Sequence, residues 1–303
     1  MAASGSSTNP MSFPASEIDV SARAGSVAEL VAAGSIEISP RELHRAAEVA
    51  ALVPAGTCAY VPSLPGLPVS RVLETVAAIR RAGLDPVPHL AARRSAGREQ
   101  LREFLRRAAG EHGVHRVLLV GGDQPRASGP YSDTLQVLEE GVLADTGIRE
   151  IGIAGYPEGH PRIAPAALEE AFARKQRLAA EQGLGVYVVT QFCFAPARVV
   201  ECCAALARSA PSVSIYVGVA GPTDPAALLR YAQRCGVSAS LRALRNLGTG
   251  IAQLVTHTDP HEQVVALARY SRSRTPSNVI GVHLYSFGGA VRTARWMRER
   301  IAG

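Results

Sequence analysis

One loop segment, Ala154 to Pro161, combines residue types that can bind a flat ligand, in the order Ala-Gly-Tyr-Pro-Glu-Gly-His-Pro. A short apolar run at 151–154 leads into it, so the segment is placed where a strand ends. Its glycines let a ligand approach the backbone closely, and its prolines stiffen the loop. Tyr156 and His160 can stack on a flat heterocycle or hydrogen-bond to it. The pattern predicts a ligand-binding loop, although a surface turn facing water has a similar composition.

Glu37 is a candidate general acid, because it stands between Ile36 and Ile38 in a short apolar run. A carboxyl group in an apolar mouth has a raised pKa and can donate a proton to a substrate. The alternation of strand residues also allows a simpler interpretation, in which Glu37 faces solvent.

Two further polar groups follow strand-like runs. His89 lies near the end of one run, where a histidine is by itself more often a satisfied core residue than a ligand-binding one. Gly122 and Asp123 follow the buried run 117–120, so the backbone can approach a ligand and Asp123 can project from the rim. A tight turn capped by the aspartate is the alternative interpretation.

An amide and several rings complete the set of candidates. Gln191 can pair with both a donor and an acceptor of a pterin-like ring, and Phe192 beside it can line the slot or simply pack in the core. Tyr285 follows the last strand-like run. Arg174 and Lys175 can reach anionic phosphates from a helix, although such pairs usually face solvent.

The elements that must position these groups alternate along the chain. Apolar β-branched runs predict strands, and amphipathic segments between them predict helices. The strands are predicted at Ser35–Ile38, Thr57–Val61, Pro86–Leu90, Val114–Val120, Glu150–Ala154, Gly185–Thr190, Ser212–Val217 and Asn278–His283. The helices are predicted at Pro40–Leu52, Pro68–Ala82, Gly97–Gly110, Thr134–Asp145, Pro165–Gln182, Ala195–Ala207, Pro225–Cys235, Ser240–Ala252, His261–Ser271 and Ala290–Ile301.

Strand–helix alternation calls for a parallel sheet, and eight strands in 303 residues match a single-domain (β/α)8 TIM barrel, an α/β fold. An open doubly wound sheet is the runner-up, but no GxGxxG follows the first strand. We assign residues 26–303 to the barrel and residues 1–25 to a flexible N-terminal segment. In such a barrel the polar residues at the carboxyl ends of the strands converge on one mouth.

Composition narrows the class of protein. The net charge of +6 comes from arginines on helix-like faces, which no aromatic residues interleave, so no nucleic-acid partner is expected. The five cysteines show neither zinc nor disulfide spacing, which fits reduced thiols in a cytoplasm, and no metal site is predicted. No signal pattern is present and no apolar run reaches the roughly 18 residues of a membrane span, so no membrane contact is expected.

Taken in order, these motifs resemble those of the methylenetetrahydrofolate reductase family. The family's patterns are an opening Ser-Phe-Glu-Phe-Phe-Pro strand, a Pro-His-Leu segment, an Arg-Gly-Asp loop, an Ala-x-Tyr-Pro-Glu-x-His-Pro signature, a Lys-Arg-Lys helix and a Thr-Gln-Phe-Phe-Phe strand. The similar segments here are Ser35–Pro40, Pro88–Leu90, Gly122–Pro125, Ala154–Pro161, Arg174–Lys175 and Thr190–Phe194. The family's fold is a (β/α)8 barrel, in agreement with the strand count.

The resemblance implies a flavoenzyme in which NAD(P)H reduces FAD and the flavin reduces 5,10-methylenetetrahydrofolate to 5-methyltetrahydrofolate. Glu37 would be the general acid that opens the imidazolidine ring, and Asp123 would contact the pterin near the flavin. Gln191 would bind folate or nicotinamide, with Phe192 and Tyr285 at the substrate site. The FAD site would be lined by His89, Gly122, Asp123, Tyr131, Ala154, Tyr156, His160, Arg174 and Lys175.

Several departures affect contacts to the dinucleotide. Gly121 stands where the family's loop has arginine, Val61 falls near a customary threonine, and Leu168 and Ala171 replace polar helix positions. Each lost charge-assisted hydrogen bond weakens binding by roughly 1.5–3 kcal/mol. Three alternatives therefore stay open: a flavin-independent folate reductase, a folate-binding barrel without hydride transfer, and a methyltransferase barrel. Tetrahydrofolate derivatives are the expected partners, and a homo-oligomer, the nicotinamide used and the direction of reaction stay open.

Overall fold

Eight parallel strands close into a barrel in chain order. The computed structural model describes residues 25–234, 237, 259–274 and 277–303. The strands are β1 (Ser35–Glu37), β2 (Cys58–Val61), β3 (Asp85–Ala91), β4 (Arg116–Val120), β5 (Glu150–Gly155), β6 (Gly185–Thr190), β7 (Ser214–Ala220) and β8 (Val279–Tyr285). Each overlaps a predicted strand, and the predicted (β/α)8 TIM barrel is confirmed.

Helices follow the strands on the outside of the barrel. They are α1 (Val27–Ala32), α2 (Ala46–Ala50), α3 (Val69–Arg81), α4 (Arg98–His112), α5 (Thr134–Glu139), α6 (Pro165–Glu181), α7 (Pro196–Ser209), α8 (Pro225–Arg234), α9 (His261–Ser273) and α10 (Ala290–Ala302). Two 3-10 helices, Leu43–Arg45 and Ala92–Arg94, lie in loops. The helix predicted at 240–252 lies outside the described residues. No helix in the described ranges is long and apolar enough to cross a membrane.

Two of the predicted helices need correction, and one helix was not predicted. The sequence showed no helix at α1, which is closed by a capping box between Ser26 and Glu29. The helix predicted from residue 134 to 145 ends at Glu139, because Gly141 follows in the left-handed conformation with φ of 60°. The helix predicted from residue 40 to 52 is a 3-10 turn followed by the five-residue α2.

The alternation of strand residues divides the apolar side chains between two layers. On β2, Ala59 and Val61 belong to the large core between strands and helices, whereas Tyr60 belongs to a separate cluster inside the barrel. Tyr187 and Tyr216 join that inner cluster, and the Tyr60 hydroxyl donates to the Tyr187 hydroxyl at 3.2 Å. The interior of this barrel therefore holds hydrogen-bonded tyrosines beside the branched aliphatic side chains that are usual there.

The amino-terminal end of the interior holds a buried ion pair. The Arg116 guanidinium donates to Glu150 at 2.5 Å, and the arginine side chain is 8% exposed. The same guanidinium lies 5.5 Å from the centre of the Tyr187 ring, within the range of a cation–π contact. This end of the barrel is thus closed by charge pairing, and the mouth lies at the opposite end.

Candidate functional site

Glu37 points into the barrel at its mouth. Its neighbours Ile36 and Ile38 are fully buried in the outer core, so the side chain between them faces the opposite way. On one side, the register pairs Glu37 with Tyr60. On the other side, Ser35 pairs with His283, and continuing that register brings Tyr285 beside Glu37.

The surroundings of Glu37 favour its neutral form. Burial raises the pKa of its carboxyl to about 8, and the nearby carboxylate of Glu42 adds to the shift. Ser286 holds the strand end in place, because its hydroxyl donates to the Glu37 carbonyl at 2.8 Å. The residue is half-buried, so a ligand in the mouth can reach it. Near neutral pH the carboxyl is mainly protonated, as a general acid requires.

A histidine that the sequence did not single out lies directly below Glu37. His283 is fully buried, and its Nδ1 atom hydrogen-bonds to the Ser35 hydroxyl at 2.8 Å. Its ring meets the rings of Tyr60 and Tyr285 edge-on, at 4.5 Å and 4.6 Å between centroids. A usable signal was present, because His283 stands two residues before Tyr285 and so faces the same side of a strand.

His89 also faces the interior, on β3. Its ring lies 6.1 Å from the Tyr60 ring. Burial lowers the pKa of His89 to about 4, and burial together with the charge of His89 lowers that of His283 to about 3. Both imidazoles are therefore neutral at physiological pH.

The amide of Gln191 and the ring of Phe192 reach the mouth at the end of β6. The Gln191 backbone donates to the Gly155 carbonyl at 2.8 Å, which ties this segment to the loop after β5. Phe192 is buried, and its ring lies 5.5 Å from the ring of Tyr285. Tyr285 in turn donates its hydroxyl to the Thr190 carbonyl at 3.0 Å. The structure thus brings the predicted substrate residues together, with Tyr285 between Glu37 and the β6 end.

The loop after β5 forms the rim next to Gln191. The rings of Tyr156 and His160 meet edge-on at 5.1 Å, and the Gly159 backbone donates to the Tyr156 carbonyl at 2.9 Å. The Nδ1 atom of His160 accepts from the Arg162 backbone at 3.2 Å. Burial, and next the charge of Arg162, lower the pKa of His160. A small cavity of about 10 Å³ lies between Tyr156 and Gln191.

Asp123 lies exposed on the rim after β4, where the arginines of the second 3-10 helix hold the loop. The Arg93 backbone donates to the Gly121 carbonyl at 3.0 Å, and its guanidinium donates to the Gln124 carbonyl at 3.1 Å. Gly122 has a φ of 94°, which favours glycine. Arg94 is close enough for the Asp123 carboxylate to stabilise its charge. The sequence analysis missed this guanidinium near the position where Gly121 replaces the family's arginine.

Two of the residues that the resemblance assigned to FAD are bonded to acidic side chains, and a third is influenced by the charge of one. Tyr131 is fully buried, and its hydroxyl donates to the Glu140 carboxylate at 2.5 Å. The exposed Arg174 guanidinium forms an ion pair with Glu139. Burial lowers the pKa of Lys175, and Asp133 opposes that shift. Ala154 pairs with Val189 at the end of β5, next to the rim loop.

The sequence model of the methylenetetrahydrofolate reductase family matches residues 69–249, which is more than half of the chain. The chain belongs to this family, a family of folate-related reductases built on a barrel, and the resemblance noted in the sequence is confirmed. The matched range contains His89, Asp123 and Gln191. Glu37 and Tyr285 lie outside it, so their place in the site rests on the geometry described above.

Three solved structures are similar to this chain at low sequence identity. Dihydropteroate synthase from Thermus thermophilus is 17% identical, with 89% of this chain and 91% of that chain covered and a TM-score of 0.46. Yersinia pestis DHPS is 11% identical, with 90% and 93% covered and a TM-score of 0.46. N-acetylneuraminate lyase from Fusobacterium nucleatum is 11% identical, with 81% and 62% covered and a TM-score of 0.38. Likenesses of this size carry no information about the substrate of this chain.

Proposed function

We propose that this protein interconverts 5,10-methylenetetrahydrofolate and 5-methyltetrahydrofolate, with NAD(P)H as the source of hydride. The observation that supports this most is Glu37, a carboxyl whose burial raises its pKa to about 8 at the mouth of the barrel. Membership of the reductase family supplies the substrate class. Gln191 carries an amide that can pair with the polar edge of a pterin, and the rings of Phe192 and Tyr285 lie near it.

The proposed reaction begins with ring opening. Glu37 donates its proton to the departing nitrogen of the imidazolidine ring, which leaves an iminium carbon on the other nitrogen. A hydride then adds to this carbon and gives the methyl group, so each turnover consumes one proton and one hydride. Gln191 and Asp123 orient the pterin by hydrogen bonds to its polar edge, while Phe192 and Tyr285 keep water from the reacting carbon.

The described residues do not fit the predicted FAD well. A diphosphate calls for cations or backbone donors that are free to bind it. Here Arg174 is paired with Glu139, and the charge of Asp133 faces Lys175. The Tyr131 hydroxyl donates its hydrogen bond to Glu140, so it has no donor left for a flavin. The proposed mechanism therefore runs no step through the flavin, and this pairing favours the flavin-independent alternative, in which NAD(P)H delivers hydride directly to the folate.

The test combines an absorbance spectrum with a turnover assay. Purified protein, with and without added FAD, is mixed anaerobically with NAD(P)H and 5,10-methylenetetrahydrofolate, and the folate products are separated. We expect 5-methyltetrahydrofolate to form at the same rate with and without FAD. Flavin absorbance in the protein as purified, or turnover that requires FAD, would contradict the direct route and restore the FAD-dependent one. The proposed reaction is refuted if neither folate is converted to the other.

Replacement of Glu37 by glutamine tests the acid within the same assay. We expect folate binding to persist and reduction to fall by about 100-fold, as for loss of a general acid. Glu48→Gln is the matched control, because this carboxylate lies in a surface ion pair with Arg45, and it should leave turnover unchanged. Folate binding that persists in a protein without turnover would favour the folate-binding barrel. Methyl transfer to a corrinoid or thiol without nicotinamide oxidation would favour the methyltransferase.

A further inference from the structure

Two histidine nitrogens inside the barrel have no hydrogen-bond partner. The Nε2 atoms of His89 and His283 are both buried from solvent and unpaired. A buried polar atom without a partner is destabilising, and nearly all buried polar atoms in folded proteins bond to protein or to ordered water. Two such atoms in one barrel interior therefore indicate a hydrogen-bond partner that is not a protein side chain.

Both nitrogens belong to rings around Tyr60, and we call this region of the barrel interior the compartment. Both rings pack against Tyr60, whose centroid is 4.5 Å from that of His283 and 6.1 Å from that of His89. The second nitrogen of His283 is already occupied by the Ser35 hydroxyl at 2.8 Å. A polar pocket with two or more partners for one molecule is the setting in which proteins hold buried water.

This compartment lies next to Glu37 in the barrel interior. Ser35 is two residues before Glu37 on β1 and faces the same side of the strand, and the register places Tyr60 beside Glu37. Tyr285 lies on the other side, and the Glu42 carboxylate approaches from the loop after β1. Among the described residues, the polar groups around the compartment are the Ser35 hydroxyl and the imidazoles of His89 and His283, besides the tyrosines and Glu42.

We propose that ordered water occupies this compartment, hydrogen-bonded to Nε2 of His89 and of His283, and that it also hydrogen-bonds to the Glu37 carboxyl and so orients the acid. His283 is then a positioning residue, which acts on the substrate only through the water and Glu37. Because neutral imidazoles each offer one donor and one acceptor, the pair can hold water in either orientation. The inference rests on the proposed function for its consequence in catalysis, but the water itself does not depend on that function.

The structural test is a crystal structure of the whole chain at a resolution that shows ordered water. We expect electron density for water within hydrogen-bonding distance of both Nε2 atoms and of the Glu37 carboxyl. Protein groups bonded directly to the two nitrogens, or a dry compartment, would overturn the proposal. This outcome is independent of turnover, so it separates a failure of the water site from a failure of the reductase assignment.

The functional test compares two replacements of His283. His283→Phe removes both nitrogens at similar volume, so the water leaves and the ionised form of Glu37 loses a partner. We expect turnover to fall by at least about 10-fold, and the pH at which it declines on the alkaline side to move upward. His283→Gln keeps a donor and an acceptor and should restore most of both properties.

Tyr216→Phe is the matched control, because it removes another hydroxyl of the barrel interior, on a ring that packs against Tyr187 at 5.8 Å. Its pH profile should match that of the wild type. If His283→Phe does not fold, Ser35→Ala removes a single hydroxyl from the same hydrogen bond and should shift the alkaline decline in the same direction. An unmoved profile in a folded variant of His283 or Ser35 would show that the compartment does not act on Glu37.

Discussion

Replacing Glu37 with glutamine tests the electrostatic basis of the acid through stability, because glutamine keeps the shape of the side chain and cannot ionise. Burial, and to a smaller extent Glu42, raise the pKa of Glu37 from an ordinary 4.5 to about 8. One pKa unit corresponds to about 1.4 kcal/mol, so ionising Glu37 costs about 5 kcal/mol more in the folded protein than in the unfolded chain. This is an upper limit, because the residue is only half-buried and water at the mouth screens its charge.

The direction of the pH effect follows from proton binding. Between about pH 4.5 and about pH 8 the folded state retains the Glu37 proton and the unfolded state has released it, so stability falls as pH rises through this window. The glutamine variant escapes this loss. We expect its stability advantage over wild type to grow by up to about 3 kcal/mol between pH 5.5 and pH 8.5. Urea unfolding at the two pH values measures the change, and the other titrating groups cancel in the comparison.

The same shift sets how much of the acid is ready to react. At pH 7 a carboxyl with a pKa of about 8 is protonated in about nine molecules of ten, against about one in 300 for an ordinary glutamate. If the stability curves of wild type and variant ran parallel across the range, Glu37 would ionise like an exposed carboxyl. The role of Glu37 as a general acid would then lose its physical basis.

Three further predictions concern other parts of the chain. Arg116→Met should lower the free energy of unfolding by about 3 kcal/mol, measured by urea titration, because it leaves Glu150 without its buried partner. Gly110→Ala should raise it by up to about 1 kcal/mol in the same titration, because the glycine lies inside α4 with open space around it. Tyr131→Phe should lower it by about 1 kcal/mol through the lost bond to Glu140, and nicotinamide binding, followed by fluorescence, should not change.

Each of these predictions has a control and a result that would contradict it. Arg107→Met removes an exposed ion pair with Glu111 and should leave stability unchanged, so an equal loss for both arginines would mean that burial does not matter. Gly83→Ala also meets open space, but its φ of 85° strains alanine, and it should destabilise where Gly110→Ala stabilises. Weakened nicotinamide binding in Tyr131→Phe would place that hydroxyl in the site after all.

The sequence was sufficient to predict the barrel because the signals for parallel strands are local. Each strand is an apolar β-branched run, since it is buried on both sides, and each run is followed by turn residues. The errors arose where a helix is short or is ended by backbone conformation. In α1 only Leu30 and Val31 are buried, so the apolar residues show no helical periodicity. The capping residues Ser26 and Glu29 are the remaining sequence signal for this helix. At the end of α5, the positive φ of Gly141 depends on the loop that follows it.

The residues of the candidate site also differ in how well the sequence predicts them, depending on whether they lie on strands or on helices. Glu37 ends one predicted strand and Tyr285 follows another, and the sequence predicted them at one mouth because the carboxyl ends of barrel strands converge there. Arg174 and Lys175 lie on α6, and whether they are free to bind a phosphate depends on Glu139 and Asp133 of the neighbouring α5. No spacing rule in the sequence connects the residues of these two helices. The proposed acid is therefore built into the barrel wall. The residues that would hold a dinucleotide depend on ion pairing between α5 and α6. A change of hydride donor can therefore occur without a change at Glu37.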